Sequence, residues 1–216
     1  MKKALYTLVA LVACSMGFTS CNDDDWTYDE TLAHEYFYGP QVWGYDKPGA
    51  TSGVGNNNVV FYDVNQGETV AVPMQFWCEF NRSYDVVTYY WTAPKPADEK
   101  YIDHLNKYSN DDLIAYTGPE LVRGVDYEVV DASGNVVTPN ASGAFEMMWP
   151  NALKGIKNIY IKALPGGKKG TFNILTCAPD AEKPSSSDVS STIQHATGPY
   201  VVRIFSQNYR VAINIR

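Results

Sequence analysis

An all-β fold, an antiparallel β-sandwich with one short helix in a connection, is what the sequence predicts, and three observations predict it. Apolar and polar residues alternate over short runs in about eight or nine places. Clusters of Gly, Pro, Asn and Ser separate those runs, as turns do. Aromatic residues are plentiful, with 16 Tyr, 8 Phe and 5 Trp, and such residues favour strands. No repeat of solenoid or propeller length is visible.

The strands read in order. An apolar run over residues 59–64 leads into the turn Asn65-Gln66-Gly67. Residues 68–80 alternate, with Val70, Val72, Met74, Phe76 and Cys78 on one face. Pro73 lies on the other face and marks an edge or a bulge. Residues 84–92 alternate again. Over residues 96–108, Tyr101, Ile102, Leu105 and Tyr108 fall at helical spacing after Pro96 and Asp98, which predicts the helix. Strands resume at 126–131 and 145–149. Residues 156–164 and 171–178 flank the turn Pro165-Gly166-Gly167 and read as a hairpin. Residues 179–191 are polar and read as an exposed loop. Residues 200–205 and 209–216 close the chain, paired across Ser206-Gln207-Asn208, with Tyr209, Val211, Ile213 and Ile215 facing the core.

The N-terminus carries a different signal. Lys2 and Lys3 precede an apolar run over residues 4–14. Its length suits a signal-peptide core and is too short to span a bilayer. Phe18-Thr19-Ser20-Cys21 follows and resembles a bacterial lipobox, with Phe18 where Leu is usual. The resemblance implies that residues 1–20 are a signal peptide, that Cys21 becomes the lipid-bearing first residue, and that the chain holds to a membrane through it. Asn22-Asp23-Asp24-Asp25 resembles the surface-export signal of Bacteroides-type lipoproteins. That implies an outer-membrane protein exposed at the cell surface, with the inner face of that membrane as the alternative. Residues 21–57 read as a lipidated tether and an irregular aromatic-rich lead-in carrying Tyr36, Phe37, Tyr38, Trp43 and Tyr45. Residues 58–216 are the expected sandwich domain.

Composition bounds the function. A net charge of −7 argues against nucleic acid, whose phosphates demand a basic surface. With Cys14 removed and Cys21 acylated, Cys78 and Cys177 remain. Export permits a disulfide, but strand parity puts Cys78 on the core face and Cys177 on the opposite one, so two separate, unreactive cysteines are expected.

Five segments between residues 58 and 178 carry a second resemblance. They are Gly67-Glu68-Thr69-Val70-Ala71-Val72, Asp85-Val86-Val87-Thr88-Tyr89, Gly124-Val125-Asp126-Tyr127, Lys157-Asn158-Ile159-Tyr160-Ile161 and Gly170-Thr171-Phe172-Asn173-Ile174. Together they are similar to a Calx-beta domain, which implies an immunoglobulin-like sandwich. The calcium site of that family does not carry over. The loop where it places acids is Leu164-Pro165-Gly166-Gly167-Lys168-Lys169, and a hard cation needs several oxygen ligands. No metal and no cofactor is expected, and Asp126 reads as a turn-capping acid.

Catalytic patterns are missing from the sequence. His34, His104 and His195 show no metal-ligand spacing, and no nucleophile elbow or phosphate loop occurs. Asp85, Glu120, Asp126, Glu128 and Glu146 are candidates for paired-carboxylate hydrolysis only by default. A binding role fits better. Trp43, Tyr45, Tyr116 and Trp149 read as loop or turn aromatics, and Tyr89 and Trp91 share one strand face opposite Tyr90. Trp43, Tyr45, Tyr89, Trp91 and Trp149 are therefore the candidate ligand-stacking residues, for a glycan or an outer-membrane protein partner. Core and edge packing is the competing reading of these aromatics. A structural subunit of a surface complex or fimbria, joined by strand addition, is the alternative role. Replacing Cys21 with Ala is expected to move the protein from the membrane fraction to the soluble fraction of fractionated cells. Unchanged membrane retention excludes Cys21 as the anchor.

Overall fold

The alternation becomes strand burial in the computed structural model, which describes residues 34–40, 58–59, 61–94, 100–102, 113–114, 119–181, 191–205 and 209–216. The strands are β1 (His34–Pro40), β2 (Asn58–Val59), β3 (Phe61–Val64), β4 (Thr69–Trp77), β5 (Val86–Pro94), β6 (Lys100–Ile102), β7 (Leu113–Ile114), β8 (Tyr127–Val130) and β9 (Phe145–Trp149). They continue as β10 (Gly155–Ala163), β11 (Gly170–Leu175), β12 (Ser191–Ala196), β13 (Tyr200–Phe205) and β14 (Arg210–Ile215). A six-stranded sheet runs β12-β13-β1-β4-β10-β8, a five-stranded sheet runs β3-β14-β11-β5-β9, and a small sheet runs β2-β6-β7. The inward residues of the two large sheets form one core. Val72, Met74 and Phe76 of β4, Ile159 and Ile161 of β10, Phe172 and Ile174 of β11, and Val211, Ile213 and Ile215 of β14 are all buried in it.

Four readings of the sequence are corrected. The sheets are mixed rather than antiparallel: β1 pairs parallel with β13, β3 with β14, and β2 with β6. Parallel partners need a long connection between them, so no local turn signal announces such a pair. The stretch at 34–40 is not irregular, because it forms β1 in the interior of the six-stranded sheet, and the compact unit runs His34–Arg216. Residues 100–102 are a strand where a helix was expected; residues 95–99 and 103–112 lie outside the described residues. Neither expected hairpin forms. β10 and β11 lie in different sheets, and so do β13 and β14. The turn over residues 164–169 therefore carries the chain across the sandwich instead of reversing it within one sheet; residues 206–208 lie outside the described residues.

Pro73 has a clear reason. β1 pairs with β4 only over Met74–Trp77, so among the described residues β4 has an open side at Pro73, where a missing N–H costs no ladder bond. Cys78 and Cys177 are buried and not joined in a disulfide, and the Cys78 thiol donates to the Ala152 carbonyl at 2.8 Å. Cys177 lies in the core, not on the outer face. It comes after β11 has ended, where strand parity no longer applies.

Asp126 caps a turn, as the sequence suggested. Its carboxylate accepts the backbone N–H groups of Val122 and Lys168, both at 2.7 Å, and its carbonyl accepts that of Leu164 at 2.9 Å. One residue thereby ties the turn before β8 to the crossing between β10 and β11. Gly167 is required beside it, since a Cβ there lies 2.7 Å from the Asp126 Cα.

β14 sits between β3 and β11 with Val211, Ile213 and Ile215 all buried. Ile213→Ala is expected to lower stability by about 2–5 kcal/mol in denaturant unfolding, because the two packed sheets cannot close over the void. Ile193→Ala, on the exposed face of β12, is expected to change it by under about 0.5 kcal/mol.

Candidate functional site

β5 presents two faces. Val86, Thr88 and Tyr90 are buried in the core, while Tyr89 and Trp91 point outward and are half-buried. The Tyr89 and Trp91 rings have centroids 6.2 Å apart, inclined by 43°. On neighbouring β9, Glu146 stands opposite Tyr89 and Met148 opposite Val87, and both point outward. Burial, and secondarily the Glu146 charge, raise the Tyr89 pKa and keep its hydroxyl protonated. The arrangement offers two aromatic faces, a phenolic hydroxyl and a carboxylate on one open surface.

A bulge in β12 holds this surface in place. The β12–β13 register shifts between Ile193 and His195, which turns Gln194 out of its own ladder and re-aims its side chain. Its Oε1 accepts the Tyr89 N–H at 3.0 Å, and its Nε2 donates to the carbonyls of Tyr89 at 2.8 Å and Thr176 at 2.6 Å. β11 pairs with β5 only over Trp91–Pro94. The Gln194 amide thus satisfies the backbone groups of Tyr89 that β11 leaves unpaired, and it links the two sheets.

His195 packs beside it. Its ring meets Tyr89 edge-on at 4.9 Å and Tyr200 at 5.9 Å. Both ring nitrogens are buried without a hydrogen-bond partner among the described residues, and burial lowers the pKa. A second polar group surrounds His34. The Tyr84 hydroxyl contacts His34 Nδ1, Arg82 Nε donates to it at 3.2 Å, and the Tyr36 and Tyr84 hydroxyls are 2.8 Å apart.

Of the expected stacking residues, the structure brings Tyr89 and Trp91 together and removes Trp149. Trp149 is 1 % exposed, stacked on Phe76 at 4.9 Å, and its Nε1 donates to Thr88 Oγ1 at 2.9 Å. It ends β9 on the inward parity, so it is a core residue with its one donor satisfied. Trp43, Tyr45, Tyr116, His104, Cys21, Asn22, Asp23, Asp24 and Asp25 lie outside the described residues. Among the candidate carboxylates, Asp85 accepts the Asn151 N–H and Glu128 pairs with Arg123. Asp126 is used by its turn, and Glu146 borders the Tyr89 face. No group of three or more metal-ligating side chains occurs among the described residues.

Sequence reading missed a third set. Phe37, Trp77 and Phe205 lie across β1, β4 and β13 on the outer face of the six-stranded sheet, with centroids 6.0 Å and 5.7 Å from Phe37. Arg203 beside them donates to Glu35 at 2.9 and 2.6 Å. The alternation of Glu35 and Phe37 with Tyr36 and Tyr38 was the available signal. No protein-family model matches the chain, and no curated protein matches it.

The histidines set a pH dependence. Burial lowers both His34 and His195 below 6.5, and Arg82 adds to the shift at His34. The unfolded chain therefore takes up protons that the folded protein refuses. Stability is full above about pH 6.5 and falls as pH drops towards the folded-state values. Asp126 acts lower. Its backbone hydrogen bonds depress it below 3.8, so its contribution is lost as pH falls through that depressed value. The melting temperature is expected to drop from pH 7 to pH 5 and again below about pH 4. His195→Phe, which keeps the edge-on packing, should make the first drop shallower; an unchanged slope means that His195 is not a source of it.

Proposed function

We propose that this protein is a non-catalytic outer-membrane lipoprotein, anchored through Cys21, whose sandwich captures glycan at the cell surface. The observation that carries the capture reading is the Tyr89–Trp91 face: two adjacent outward rings on a strand whose backbone the Gln194 amide immobilises. Aromatic faces stack on the apolar faces of sugar rings, and Glu146 and the Tyr89 hydroxyl stand ready for sugar hydroxyls. A platform held rigid before binding loses little entropy when the ligand arrives.

Strand order supports an immunoglobulin-like reading of the sandwich. β1-β4-β10-β8 follows the A-B-E-D order and β5-β11-β14 the C-F-G order of that fold. The β12–β13 hairpin then adds to the sheet beside β1, and β3 adds beside β14. Growth by strand addition is the weaker reading. The β12 edge is bulged and turns Gln194 inward, and Lys157 Nζ occupies the Met148 carbonyl of β9; both features blunt an edge.

Screening the mature protein against polysaccharides tests the proposal. Binding is expected, and Trp91→Ala should weaken it about tenfold, the scale of one lost aromatic contact. Val136→Ala, at an exposed residue bridged to Val130, should leave it unchanged. Binding that survives loss of both Tyr89 and Trp91 places the glycan elsewhere.

A further inference from the structure

One end of the sandwich carries a surface that the glycan face does not use. The β4–β5 connection and the β9–β10 turn meet there. Arg82 N–H donates to the Asn151 carbonyl at 2.9 Å, Asn151 N–H to Asp85 at 2.9 Å, and the Cys78 thiol to Ala152. These bonds join the two segments into one platform. From it project Phe80, 52 % exposed, and Leu153, 54 % exposed, with Trp77 and Ile156 exposed at its margin. Lys154 and Lys157 are exposed between them. In water these four apolar side chains are a liability. Their company is that of a membrane interface, where an aromatic belt and apolar side chains enter the headgroup layer and Lys or Arg meet its phosphates.

We infer that this end of the sandwich seats on the lipid bilayer, with Phe80 and Leu153 entering the headgroup layer and Lys154 facing anionic lipid. The inference rests on the lipoprotein reading and goes beyond it. Two observations favour a bilayer over any other occupant. First, the chain enters the folded unit at this end: His34, the first residue of β1, contacts Arg82 and Tyr84 of the platform. Cys21 lies only 13 residues earlier (34 − 21), a span of at most about 45 Å when extended. The anchor therefore keeps this end within reach of the lipid. Second, charge is complementary. The chain carries −7 overall, yet residues 77–85 and 148–157 hold Arg82, Lys154 and Lys157 against Glu79 and Asp85. An anionic surface that repels most of the molecule is met here by a slight positive excess. Such docking fixes the orientation of the sandwich and stands the β5 face beside the membrane rather than against it.

Site-directed labelling of the full lipidated protein tests this. Cys78 and Cys177 are buried, so a cysteine introduced by Leu153→Cys, Phe80→Cys or Val136→Cys is the reactive one. Each variant receives an environment-sensitive fluorophore and is reconstituted into vesicles of phosphatidylethanolamine and phosphatidylglycerol that contain a lipid-borne nitroxide quencher. Quenching is expected at 80 and 153 and not at 136. Lys154→Ala should weaken the seating about fivefold, and only when phosphatidylglycerol is present. Vesicle-bound protein whose labels at 80 and 153 are no more quenched than that at 136 overturns the inference and leaves the anchor intact. A label at 153 shielded without vesicles, in proportion to protein concentration, assigns this end to a second copy and overturns it too. Protein that fails to hold to vesicles at all removes the anchor reading and the inference together.

Discussion

The strand that the sandwich depends on is β1. It pairs with β13 on one side and β4 on the other, and without it the six-stranded sheet falls into a hairpin, β12–β13, and a three-stranded remnant, β4-β10-β8. The pairing is held by more than backbone bonds. Tyr36 packs against Phe76 at 5.3 Å and Tyr200 at 5.9 Å, and Tyr38 against Trp149 at 6.4 Å. Two tyrosines on the inward parity of β1 thus fill the core between elements that come from opposite ends of the sequence. An edge hairpin alone is marginally stable; sewn to β4 through β1, β12 can carry Gln194 to β5.

That dependence explains why the candidate site is built from distant pieces. Tyr89 and Trp91 owe their direction to the β5 alternation, a local property. Their rigidity comes from Gln194, more than a hundred residues later, and Gln194 reaches them only because β12 bulges. The outward side of β1 contributes separately, through Phe37 against Trp77 and Phe205 and through Glu35 against Arg203. One strand therefore organises the core, one candidate surface and the placement of the other.

Legibility in the sequence follows from the same physics. Runs with strict alternation, such as those of β4 and β10, were readable because one face is buried and the period is two; β14 was readable because its large apolar residues keep that period, although its other face is buried too. Asp126 was readable as a cap because a short acidic side chain beside a turn has an obvious local partner. β1 was not, since two inward tyrosines alternate with an outward phenylalanine and the pattern looks uniformly aromatic. The β10–β11 and β13–β14 connections were misread because a Gly- or Asn-bearing turn states that the chain bends, and not whether it returns to the same sheet. Trp149 was misassigned by composition, although its position, two residues past Met147 on the β9 alternation, already pointed inward. Cys177 failed for the opposite reason, as parity was carried past the end of its strand.

The outer face of the five-stranded sheet divides into two halves of different character. Thr171, Asn173 and Asn214 occupy outward positions of β11 and β14, yet all three are buried. Polar groups withdrawn from water must be bonded, and they are: Thr171 Oγ1 donates to Asn214 Oδ1 at 3.3 Å, and Asn214 Nδ2 to Asp63 Oδ1 at 2.7 Å. Arg216 completes the network through its own bond to Asp63 at 2.8 Å. This half of the face is a satisfied interior in which each polar group already has its partner. The half over β5 and β9 is different in kind. There the outward residues include Val87, Tyr89, Trp91, Glu146 and Met148, half-buried or exposed. The boundary between the halves falls where β11 stops pairing with β5 and Gln194 takes over. The accessible side chains of this face are therefore those of the β5–β9 half, bordered on one side by a closed polar network.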